Sequence, residues 1–312
     1  ISKDSELTKI KPILGCELNV CNDHLDKSHR DDGYRIIFLA KNKNGYQNLS
    51  KMCSLGYTKG FYYVPRIDKN IVEKFKEDLI VLSGNMYGEI AGKILNVGEN
   101  QAEEALLWWK SLFKQDFYLE MMRHGQEDED RANLVLQKFA HKHKIQIVPT
   151  NNSYYVNKED ANAHDILLCV KDAESVNKPK RYLGKRGREF RYGFPNDEFY
   201  IKSPEEMKKL FSDLPDAILN TNEIVDKVER YALARDVLLP AFDIPEEFLD
   251  AEDEKDGGKR GENNYLRHLT YEGAKDRSPE ITDEIKAEML KHTGFSQDDI
   301  QEHYDEVAAK YD

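Results

Sequence analysis

The chain has 312 residues, with 46 Lys and Arg against 58 Asp and Glu, a formal charge of -12. That balance excludes a nucleic-acid footprint spread over the whole surface, because phosphate binding draws on a basic face; a local basic patch stays compatible with it. Charged residues make up 33% of the chain, mean hydropathy is -0.74, and no apolar run reaches the ~18 residues that a membrane span requires.

Neither a signal peptide nor a transmembrane helix is therefore expected. Cys16, Cys21, Cys53 and Cys169 form no CxxC pair and are too few for a disulfide framework, which favours a reducing, cytoplasmic setting. The length suits roughly two domains of ~150 residues. An opening on Ile1, inside a charged amphipathic stretch, reads as a piece of something longer.

Between 36 and 155 short apolar runs alternate with helical periods, the pattern of βα units that build a sheet or barrel of parallel strands. Strands are predicted at 36–40, 79–83, 117–121 and 145–149. The helix predicted at 46–57 carries Leu49, Met52, Cys53 and Leu55 on one side, and the one at 101–113 sets Ala105, Leu106, Trp108, Trp109 and Leu112 in a broad apolar stripe. A third, at 128–143, places Leu134, Leu136 and Phe139 inward.

After Lys171 the character changes. Residues 178–191 hold seven basic side chains and two glycines interleaved with aromatics, so they read as a loop. Lys180, Arg181, Lys185, Arg186, Arg188 and Arg191 are its candidates for contact with DNA or with another domain. Ser203, Pro204 and Glu206 announce a helix: serine cap, proline in the first turn, and a carboxylate reaching back. A second helix is predicted at 216–231. Residues 232–258 form an extended, then acidic linker, and 259–312 are mainly helical, with helices near 263–277, 283–292 and 297–310.

The apolar strand 145–149 runs into Thr150, Asn151, Asn152, Ser153 and Tyr154 at the place where a metal-dependent hydrolase on an α/β scaffold carries its last ligands. Asn152 and Tyr154 serve poorly there, since a cation wants carboxylates and imidazoles. His124 reads as a loop histidine bonded to backbone, and His164 as a helix-face residue. Cys169 has no basic neighbour to activate it. Trp108 and Trp109 are read as core packing, not as a base-stacking platform.

Several segments together resemble one family. They are KPILGCE at 11–17, LAKN at 39–42, GYQNL at 45–49, GFYYVPRID at 60–68, LSG at 82–84 with GEI at 88–90, EDANAHDILL at 159–168, LLPAF at 238–242 and YLRHL at 265–269. In this order they resemble the alpha subunits of bacterial DNA polymerase III, the Bacteroidetes type in particular, from about residue 10 to 277.

The resemblance implies that residues 1–231 are most of a polymerase and histidinol phosphatase (PHP) domain, an incomplete distorted β/α barrel. It implies that 259–312 begin the polymerase palm. The first histidine-rich motifs would precede Ile1, and the polymerase aspartates that hold Mg2+ would follow Asp312. Of the later PHP ligands, Glu17 matches; Arg35 stands for a histidine, Asn85 for a cysteine, and Asn152 and Tyr154 for an aspartate and a histidine.

The segment then reads as a degenerate, non-catalytic scaffold with no metal of its own, within a polymerase that meets DNA, a proofreading exonuclease subunit and a sliding clamp. The alternative is a metal-dependent PHP phosphoesterase or proofreading exonuclease. Arg35 is expected to pair with Glu17 and take the cation's place.

Overall fold

Residues 10–180, 189–234, 243–249 and 260–277 are described by the structure, a computed structural model, and they fall in two units divided after Ala234. In the first, six strands form one open mixed sheet: β1 (Gly15–Cys21), β2 (Tyr34–Ala40), β3 (Arg66–Asp68), β4 (Leu79–Leu82), β5 (Phe117–Met121) and β6 (Ile147–Pro149). Their spatial order is β3-β1-β2-β4-β5-β6. Around them lie α1 (Lys43–Thr58), α2 (Lys69–Lys74), α3 (Glu89–Asn96), α4 (Glu99–Phe113), α5 (Glu127–His143), α6 (Ala161–Asp172), α7 (Pro204–Leu210) and α8 (Pro215–Lys227).

The α/β class holds, but the expectation of parallel strands throughout fails at β2, which runs antiparallel to both β1 and β4. A parallel neighbour needs a crossover, usually helical, whereas an antiparallel one does not. The link between β1 and β2, residues 22–33, contains no helix. Helices do separate β4 from β5 and β5 from β6, and those pairs are parallel. Strands β1 and β3 escape a search for apolar runs because β1 alternates Glu17 and Asn19 with Leu18 and Val20, and β3 is only three residues long.

Alternation along the strands gives the sheet two faces. One presents Val20, Ile36, Phe38, Val81, Phe117 and Leu119 to the helices, where α4 contributes Ala102, Leu106, Trp109 and Phe113. Trp109 and Phe38 are wholly buried, and burying such a side chain stabilises by about 1.5–3 kcal/mol. The other face carries Ile80, Leu82, Tyr118 and Val148, covered by Ile224 of α8 and by Val228.

Two details of the helices differ from the sequence pattern. On α5 the inward residues are Ala132, Val135, Leu136, Phe139 and Ala140, and Leu134 is 67% exposed. The helical period admits 135 and 136 beside 132 and 139 and turns 134 outward. Trp108 and Leu112 are half-buried at the edge of the α4 stripe. The cap before α7 forms as predicted: Ser203 Oγ accepts from Glu206 N at 3.2 Å, and Ser203 N donates to Glu206 Oε2 at 2.7 Å.

Arg66, buried on β3, holds the 22–33 link in place. Its guanidinium donates to the carbonyls of Gly60, His24, Asp26 and Asp31 at 2.9–3.3 Å. In the second unit α9 (Arg260–Arg277) packs Tyr265 and His268 on Phe248, with ring centroids 5.0 and 5.1 Å apart. The helices predicted at 283–292 and 297–310 lie outside the described residues. Among the described residues no helix is long and apolar enough to cross a membrane.

Candidate functional site

Strand register brings the predicted site positions to one end of the sheet. Glu17 pairs with Ile37, Ile37 with Leu82, and Leu82 with Tyr118. Glu17 therefore shares the face of Ile37 and Tyr118, and by alternation so do Arg35 and Glu120. Because β4, β5 and β6 are parallel, the segments after their C-terminal ends, which carry Asn85, His124 and Asn152, gather at the same end. Gly84 allows the close approach there: its φ is +80° and a Cβ would lie 2.2 Å from Arg35 O.

Arg35 Nη1 lies 3.7 Å from Glu17 Oε1, with the two side chains 48% and 44% exposed. Its guanidinium also sits 5.0 Å from the centre of the Tyr87 ring. Both residues line an open cleft of about 550 Å3 together with Asn19, Asp32 and Met86. A hollow of about 640 Å3 between α5 and the start of α8 is larger but holds none of these residues.

The other predicted positions are engaged locally. Asn85 Oδ1 accepts from Tyr87 N at 2.9 Å. Asn152 Nδ2 donates to Tyr154 Oη at 3.5 Å, and Tyr154 N donates to Phe199 O at 2.8 Å. The Tyr154 ring packs against Phe194, 4.5 Å between centroids, and against His164 at 5.8 Å.

His124 is more firmly built in than a loop histidine bonded to backbone. It is buried, its Nδ1 lies 2.8 Å from Glu129 Oε1, and its ring stacks on Phe199 with centroids 4.4 Å apart. With Nδ1 donating to the carboxylate, Nε2 accepts the Asn152 N–H at 3.3 Å. Glu129 also takes the His124 N–H at 2.6 Å.

Glu120 went unnoticed in the sequence, although a carboxylate inside the buried strand FYLEM is itself a signal. It is 2% exposed; Oε1 accepts from Thr150 Oγ1 at 2.6 Å, and Oε2 has no hydrogen-bond partner among the described residues. Burial pushes its pKa up to about 7; the Thr150 hydrogen bond opposes this, and the charge of Glu17 adds to it.

A second group was also missed. Asp23, His24 and Asp68 bring three potential ligand atoms within 4.8 Å of one another. There Asp68 Oδ2 lies 2.6 Å from His24 Nδ1, while Oδ1 caps α2 through Ile71 N.

Of the basic loop, residues 181–188 lie outside the described residues, and with them Arg181, Lys185, Arg186 and Arg188. Arg191 is not the outward-facing contact expected: it is 4% exposed and grips Asp165 through both terminal nitrogens, at 2.9 and 2.8 Å. Lys180 Nζ reaches the same carboxylate at 3.2 Å. Asp165 on α6 supplied the partner that a reading of the loop alone could not see.

The sheet carries helices on both faces and polar side chains at one end, and residues 2–124 match the PHP domain family. The chain carries that domain, and its relatives are DNA polymerase III alpha subunits. It is 39% identical over 289 residues to DNA polymerase III subunit alpha of Borreliella burgdorferi, covering 91% of this chain and 23% of that protein. The same-named proteins of Thermus aquaticus and Treponema pallidum are 36% and 35% identical over 291 and 283 residues, covering 91% and 89% of this chain and 22% of each relative. The chain thus spans under a quarter of the length of the curated relatives it matches.

Proposed function

We propose that this chain serves within a DNA polymerase III alpha subunit, which performs templated DNA synthesis in chromosome replication, and that its PHP domain braces the polymerase without metal chemistry of its own. Mg2+ belongs to the nucleotidyl transfer of the longer protein. Partners under this reading are the other polymerase domains, DNA, a proofreading exonuclease subunit and a sliding clamp.

The observation that carries the scaffold reading is the pairing of Glu17 with Arg35 at 3.7 Å. A zinc or manganese site needs several converging anionic or imidazole donors. Of the five matched positions, Asn85, Asn152 and Tyr154 are neutral, and Arg35 brings a positive charge to the carboxylate. His124 spends both ring nitrogens on Glu129 and the Asn152 N–H. These residues do not fit a resident metal.

The test is metal analysis of the purified, untagged full-length protein alongside its Glu17→Gln variant. The expected result is equal zinc and manganese content in the two. Stoichiometric metal that is lost on Glu17→Gln would sink the scaffold reading and bring the phosphoesterase forward.

A further inference from the structure

Cys16 on β1 points to the helical face of the sheet, since Glu17 beside it takes the other face. Cys53 lies on α1, next to Met52, on the side packed against that strand. The two sulfurs are 3.6 Å apart although 37 positions separate them in sequence. Both residues are half-buried, whereas Cys21 and Cys169 are buried.

Cys16 and Cys53 line a cavity of about 90 Å3 with Gly56, Tyr57 and Arg66. A water molecule takes ~30 Å3 of liquid volume, so the space admits a small hydroperoxide. Closing the sulfurs to the ~2.05 Å of a disulfide asks for a shift of about 1.5 Å.

The geometry points to a redox-active dithiol: Cys16 and Cys53 form an intramolecular disulfide when the protein meets a hydroperoxide. At 3.6 Å either sulfur is placed to attack the other once one of them is oxidised.

In the first step one of the two thiols, as its thiolate, attacks one oxygen of hydrogen peroxide, the O–O bond breaks, and the departing hydroxide takes up the proton that thiol gave up, leaving as water. That cysteine becomes a sulfenic acid. In the second, its partner's sulfur attacks the sulfenic sulfur, the S–O bond breaks, and the departing hydroxyl leaves as water with the partner's proton. The thiols lose two electrons together and the peroxide is reduced to two waters. The product ties α1 to the strand that carries Glu17.

The experiment treats the full protein with hydrogen peroxide, blocks remaining thiols with N-ethylmaleimide, and maps peptides by mass spectrometry without and with dithiothreitol. Expected is one cross-linked peptide pair containing Cys16 and Cys53, with both alkylation sites lost together and both restored by dithiothreitol. In Cys16→Ser and in Cys53→Ser the cross-link is lost. Either cysteine of the wild type reaching sulfinic acid with no link to the other would overturn the inference. So would both thiols staying alkylable at peroxide levels that oxidise free dithiothreitol. The readout is covalent, so it stands apart from any metal result.

Discussion

Replacing Glu120 by glutamine removes a charge that the fold opposes, and the effect has a defined pH signature. Burial holds the carboxyl at about 7 against an ordinary 4.5. The folded state therefore keeps its proton over a range in which the unfolded chain has lost it. Below about 4.5 both states are protonated and the residue carries no penalty; as pH rises toward 7 stability falls, and above 7 the full penalty is present. At about 1.4 kcal/mol for each pH unit between the two values, the penalty amounts to about 3 kcal/mol.

Glutamine keeps an oxygen for the Thr150 hydroxyl and has no charge to desolvate. Urea denaturation of wild type and Glu120→Gln between pH 4 and 8 should give nearly equal stabilities at the acid end. At pH 8 the variant should be more stable by about 3 kcal/mol. Titrations of groups that do not interact with Glu120 are common to both proteins and cancel in the difference. A difference that stays flat across this range would refute the reasoning.

Glu89 behaves in the opposite sense. Burial works against its charge, but Lys69, Lys93 and Trp109 outweigh it, with donors at 2.7–3.0 Å, and hold its pKa below the ordinary range. Glu89→Ala should cost about 2–3 kcal/mol in urea denaturation, since it strands the buried Trp109 N–H and unpairs Lys69 and Lys93, which are partly exposed; a loss under about 1 kcal/mol would contradict the network. Arg35→Ala, at a half-exposed pair, should change stability by less than about 1 kcal/mol, measured the same way. Arg191→Ala should lower stability by about 2 kcal/mol or more by leaving Asp165 poorly paired. A stable variant with weakened, salt-sensitive DNA binding would instead return Arg191 to the outward role.

How much was legible in the sequence follows from the range of each interaction. Local periodicity determined α1, α4 and α5 to within a few residues, and Ser203 with Glu206 marked the start of α7, because these depend on neighbours within about a turn. The motif order from residue 11 to 269 determined the kinship with polymerase alpha subunits, and that resemblance named Glu17, Arg35, Asn85, Asn152 and Tyr154 as the site positions.

Pairing across the chain was left to the tertiary structure. Antiparallel β2, the burial of Glu120 with an orphan oxygen, the capture of Arg191 by Asp165 and the meeting of Cys16 with Cys53 all join residues far apart in number. Burial and strand register are set by which segments pack together, and a side chain's charge or reactivity answers to the partner that packing delivers.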